Sequence, residues 1–116
     1  MKVSQTEMIT RYINQYIQAN IGKDLSLIHL AELTSFNATY LSRMYKQVTN
    51  SNLSDYIIEK RMEYASKLLS HTNMRVSQVA QAVGYSSAGS FSRVFTQIVG
   101  VSPREYRLDC HIGKEM

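Results

Sequence analysis

Apolar residues recur along this chain at spacings of three and four, and short polar or glycine-bearing breaks divide them into helix-sized segments. In the first segment Met8, Ile9, Tyr12, Ile13, Tyr16 and Ile17 share one stripe. Ser4 can cap it and Glu7 can reach back, so a helix is predicted to about Asn20, ended by "IGKD". Ser26 caps a short helix carrying Leu27, Leu30, Ala31 and Leu33, stopped at "TSFN". Asn37 then opens a helix that buries Leu41, Met44, Tyr45 and Val48. From Leu53 to about Ser70 the stripe is Leu53, Tyr56, Ile57, Met62, Ala65, Leu68 and Leu69. At about 1.5 Å per residue, that helix is roughly 27 Å long.

Beyond "HTN" a short helix carries Val76, Val79, Ala80 and Val83, with Gly84 as its closing glycine. "YSS" caps a helix holding Phe91, Val94, Phe95 and Ile98 inside, closed by Gly100. Ser102 caps the last helix, which Pro103 opens and which carries Tyr106. The expectation is an all-α fold of seven helices. Its parts are a first subdomain over 1–57, a linker helix over 53–70, a second subdomain over 71–109 and a frayed tail over 110–116.

Two of these segments are versions of one another. "YLSRMYKQVTN" from Tyr40 returns as "SFSRVFTQIVG" from Ser90, an offset of fifty that also pairs Ala38 with Ala88, Gln47 with Gln97 and Tyr56 with Tyr106. Upstream, Ala31 pairs with Ala80 and Phe36 with Tyr85, an offset of forty-nine. The single added residue therefore falls in a turn, and both helices of each copy keep their buried faces. The repeated unit is a short helix, a tight turn and a longer helix, the helix-turn-helix arrangement whose second helix enters the DNA major groove.

The exposed faces support that comparison. With Leu41, Met44, Tyr45 and Val48 inward, Thr39, Ser42, Arg43 and Lys46 lie on the other side. In the second copy the same geometry exposes Gly89, Ser90, Ser92, Arg93 and Thr96. Neither face carries a carboxylate, as a surface approaching phosphates requires. One arginine on a helix is ordinarily a solvated residue or the partner of a nearby carboxylate. Two at equivalent positions, each preceded by serine, point to recognition, since arginine can donate a bidentate pair to guanine O6 and N7. A connecting helix near 27 Å is also a suitable spacer for two heads about one duplex turn, roughly 34 Å, apart.

Composition narrows the alternatives. The chain has 116 residues, enough for one compact domain or two very small ones, with a net charge of +4 and a pI near 9.3 that favour an anionic partner. Cys110 is the only cysteine, and His29, His71 and His111 are scattered, so neither an internal disulfide nor a metal site is expected. No cofactor is expected either. Charges interrupt every apolar run and "MKVSQTEM" has no apolar h-region, which predicts a cytoplasmic protein without membrane association. An enzyme built on Cys110 is disfavoured because no base or orienting partner accompanies it.

Taken together, "VSQVAQAVGYSSAGSFSRVFTQIVGVSPREYR" and "RMEYASKLL" resemble the DNA-binding domain of AraC/XylS-family bacterial transcription regulators, over about Leu25 to Arg107. The family's patterns are I/V-A-x-x-V/A-G-Y/F, F-x-R-x-F and G-x-S/T-P-x-x-Y-R, with R-hydrophobic-x-x-A-x-x-L-L in the linker. The resemblance implies two helix-turn-helix units on a long helix, facing adjacent major-groove segments. Carried over by position, the base-facing residues are Ala38, Thr39, Ser42 and Arg43, then Ala88, Gly89, Ser90 and Arg93. Lys46, Ser86, Ser92 and Thr96 are expected at phosphates, while Arg61 and Arg107 are expected to be structural, pairing with carboxylates or carbonyls.

Two departures are notable. Thr96 stands where the family often has lysine, and "SSAGS" is unusually small, so the second unit is expected to lean on DNA shape. The partner implied is double-stranded DNA, with RNA polymerase as a further candidate. The domain alone is expected to be monomeric, cut from a longer regulator that could dimerise. The alternative is a helical module that binds RNA polymerase or another regulator rather than DNA.

Overall fold

The computed structural model describes residues 4–115, with side chains to His111. Among the described residues there are seven helices and no strand: α1 Gln5–Ala19, α2 Leu27–Thr34, α3 Ala38–Thr49, α4 Leu53–His71, α5 Val76–Ala82, α6 Ala88–Val99 and α7 Pro103–Glu115. They form two compact units, one ending at Lys60 and the other beginning at Arg61. The boundary falls inside α4, because Leu53 and Ile57 are buried in the first unit and Met62, Ala65 and Leu69 in the second.

In the first unit, α1 and α2 both pack on α3. Ser4, Ser26 and Asn37 cap the three helices, accepting the N–H of Glu7 (3.2 Å), His29 (3.2 Å) and Tyr40 (2.7 Å). Ile13, Ile17, Leu30, Leu41, Met44 and Tyr45 form the centre of the core. The face that α1 buries is narrower than its apolar pattern suggests. Thr10, Ile13 and Ile17 are buried, whereas Met8 and Tyr12 lie further round the helix and are exposed. Thr10 is tolerated inside because its hydroxyl donates to the Thr6 carbonyl at 2.8 Å, within the helix itself.

Tyr45 is the largest buried side chain here, and its hydroxyl donates to Asn14 Oδ1 at 2.8 Å. Burial, reinforced by Tyr56 and Glu59, pushes its pKa from 10.0 to about 12. The unfolded chain therefore releases this proton first as the solution becomes alkaline. Stability should be unaffected by Tyr45 below pH 10, then fall by about 2–3 kcal/mol as the pH rises to about 12. Chemical denaturation of the wild type and Tyr45→Phe across this range checks the sign, since the variant should show a shallower decline.

The second unit packs α6 between α5 and α7. Its centre is aromatic: Tyr85 against Phe91 at 5.8 Å, Phe91 against Phe95 at 5.6 Å, and Phe95 edge-on to Tyr106 at 5.5 Å between ring centroids. Arg107 Nε donates to the Leu69 carbonyl at 3.0 Å, pinning α7 to α4. The Arg61 guanidinium lies 5.8 Å from the centroid of the Tyr85 ring, a cation–π contact.

One expectation changes in this unit. Ile98 is exposed, as is its first-unit equivalent Val48, because each stands in the last turn of its helix, beyond the final buried residue of the stripe. At the C-terminal side, α7 continues through Glu115. Met116 and the side chains after His111 lie outside the described residues.

Candidate nucleic-acid interface

The repeat is visible in the backbone as well as in the sequence. Ser35 and Gly84, forty-nine apart, both end their short helix in the left-handed region, at φ 61° and 92°. The next residue in each copy bonds back to the equivalent alanine: Phe36 N–H to the Ala31 carbonyl at 3.1 Å, Tyr85 N–H to the Ala80 carbonyl at 2.9 Å. Asn50 and Gly100, fifty apart, close the longer helices at φ 60° and 97°. Their N–H groups bond to the carbonyls of Lys46 and Thr96 at 2.8 and 2.9 Å. The offset thus changes between Phe36/Tyr85 and the caps Asn37/Ser87, which makes Ser86 the residue without a counterpart.

Each longer helix is held by its inner face and presents the outer one to solvent. On α3, Thr39, Ser42, Arg43 and Lys46 are exposed, with Ala38 half-buried at the start. On α6, Gly89, Ser90, Arg93 and Thr96 are exposed, Ala88 and Ser92 are half-buried, and Ser86 is exposed in the turn. The sequences of α3 and α6 contain no acidic residue. A Cβ added at Gly89 would meet nothing within 4 Å, so no neighbour in the protein requires glycine there.

Hydrogen bonds sort the hydroxyls on these faces. Thr96 donates to the Ser92 carbonyl at 2.7 Å, which directs its hydroxyl back along α6. Ser87 accepts the Ser90 N–H at 3.1 Å and donates to Ser90 Oγ at 2.9 Å, fixing the first turn. Ser92, Arg93, Thr96 and Gln97 line one shallow hollow, which brings Gln97 to the face. Tyr40 also joins its face, half-exposed beside the predicted residues. Neither residue was singled out from sequence. The fifty-residue offset that pairs Tyr40 with Ser90 was the signal for the first.

A family model described as a helix-turn-helix domain matches residues 30–109. Regulatory protein SoxS of Salmonella typhimurium is 30% identical over 101 residues, covering 87% of this chain and 94% of its own length. The C-terminal domain of AraT, a response regulator from Geobacillus stearothermophilus, superposes with a TM-score of 0.86 at 36% identity over 91% of this chain and 88% of that one. A Chromobacterium violaceum transcriptional regulator of the AraC-type DNA-binding-domain class superposes at 0.80 with 28% identity, over 90% and 94% of the two chains.

The chain belongs to the AraC-type helix-turn-helix family. This AraC-type domain is therefore of the DNA-binding, transcription-regulating class, which is not an enzyme family. It spans less than half the length of several curated relatives that it matches. None of its described helices is long and apolar enough to cross a membrane.

Proposed function

We propose that the domain reads double-stranded DNA with two heads, α3 and α6, laid into successive major-groove segments by subdomains over 1–57 and 71–109 on the linker helix 53–70. Arg43 and Arg93 are the principal base readers. Ala38, Thr39 and Ser42 flank the first, and Ala88, Gly89 and Ser90 flank the second. Lys46, Ser86, Ser92 and Thr96 meet phosphates, Thr96 only by turning its hydroxyl away from the Ser92 carbonyl. Gly89 lets the α6 backbone approach the duplex, so the second head leans on DNA shape more than the first.

The observation that carries this reading is the repetition itself. Two units with the same left-handed turns, and with a side-chain cap opening each longer helix, each present an exposed arginine on a helix without carboxylates. The domain acts in the cytoplasm as a monomer, supplying the DNA-binding end of a longer regulator that contacts RNA polymerase.

Titrating the domain into labelled duplex at several salt concentrations tests DNA binding directly. Affinity should fall linearly on logarithmic axes, with a slope of about −0.9 for each phosphate contacted, and should survive excess unrelated competitor DNA for a preferred sequence. Binding that ignores salt, or that competitor abolishes equally for all sequences, would favour a protein-interaction module instead.

A further inference from the structure

We propose that Tyr40 anchors the first unit to DNA, its phenol hydroxyl donating a hydrogen bond to a backbone phosphate on one wall of the groove. The inference rests on the DNA-reading role of α3 and adds to it a contact that the second unit lacks.

Tyr40 is the third residue of α3, three before Arg43, and so lies about 60° round the helix from it. If Arg43 points at the groove floor, Tyr40 sits to one side, where a sugar–phosphate strand runs. Helical side chains lean toward the helix N-terminus, and the ring does so, resting against Phe36 with centroids 4.9 Å apart and planes at 51°. That contact holds the ring in place, while the Asn37 side chain holds the Tyr40 N–H at 2.7 Å. The side chain is nonetheless 47% exposed, and among the described residues its hydroxyl has no hydrogen-bond partner.

A half-exposed aromatic braced from behind, with one free donor at its tip, suits an acceptor outside the protein. Phosphate oxygens accept and do not donate, and tyrosine is among the side chains that reach them. The second unit shows the contrast. Its equivalent residue, Ser90, is short and takes a hydrogen bond from the cap Ser87 at 2.9 Å. Its counterpart of Phe36, Tyr85, packs instead on buried Phe91.

The test compares wild type and Tyr40→Phe, which keeps the ring and its contact with Phe36. Both are titrated with the preferred duplex and with versions carrying one neutral methylphosphonate at each backbone position in turn. The variant should unfold at the wild-type temperature, select the same sequence and bind about tenfold more weakly. One methylphosphonate should weaken the wild type and leave the variant's affinity unchanged. Equal affinity of the two proteins, a changed sequence preference, or additive losses at every phosphate would overturn the role of Tyr40 while leaving the two-headed reading intact. Failure of the wild type to prefer any duplex would overturn both.

Discussion

Phe95→Ala should strongly destabilise the second unit. Phe95 is fully buried and its ring meets Phe91 on one side and Tyr106 on the other, so truncation removes the middle of the aromatic stack. Phenylalanine-to-alanine changes in a core cost about 3–5 kcal/mol. A unit formed from roughly half of a small chain buries too little surface to absorb such a loss. The midpoint of thermal unfolding should drop by at least about 12 °C, with helical circular dichroism falling as α5, α6 and α7 lose their packing. Phe95→Leu, which keeps most of the volume, should retain the helices. A midpoint lowered by only a degree or two in Phe95→Ala would mean that the stack does not carry this unit.

The second large effect concerns DNA. Arg43→Ala and Arg93→Ala should each weaken binding to the preferred duplex by about 1–3 kcal/mol, roughly 5- to 150-fold, with little change in binding to unrelated sequence. Both side chains are exposed, so stability should stay within about 0.5 kcal/mol of wild type. Lysine at either position separates the two roles of arginine. It keeps the charge, and hence the salt dependence, but lacks the rigid planar fork that fits guanine O6 and N7, so discrimination should fall while nonspecific affinity is kept. Anisotropy titrations with preferred and scrambled duplexes measure both quantities. An equal loss on both duplexes would make these arginines phosphate contacts rather than readers.

Much of this was legible in the sequence because the repeat supplies its own control. A one-residue change of offset between Phe36/Tyr85 and Ala38/Ala88 locates the turn, and the left-handed residues Ser35, Gly84, Asn50 and Gly100 fall at matching places. Caps were readable for a related reason: a serine or asparagine before an apolar stripe satisfies donors that the helix itself cannot. Less legible was how wide a face each helix buries. Apolar periodicity marked Met8, Tyr12, Val48 and Ile98 as inward, yet all four are exposed. Width depends on what packs against a helix, and a pattern along one segment does not contain its neighbours.

Tyr40 is hard to read for a related reason. An aromatic residue at helical spacing is usually core; in the sequence only its pairing with Ser90 argues otherwise, and in the structure the Phe36 ring behind it and the open hydroxyl do. Thr10 is the converse case, a polar side chain that is buried because its hydroxyl is satisfied within α1.

The most direct test of the two-headed account is selection of bound sequences from random duplexes by wild type, Arg43→Ala and Arg93→Ala in parallel. The wild type should yield an asymmetric site with two elements about one helical turn apart, and each variant should lose information at one element while keeping the other. If both variants return the wild-type motif unchanged, or both erase the same positions, the two helices are not independent readers and the account is wrong.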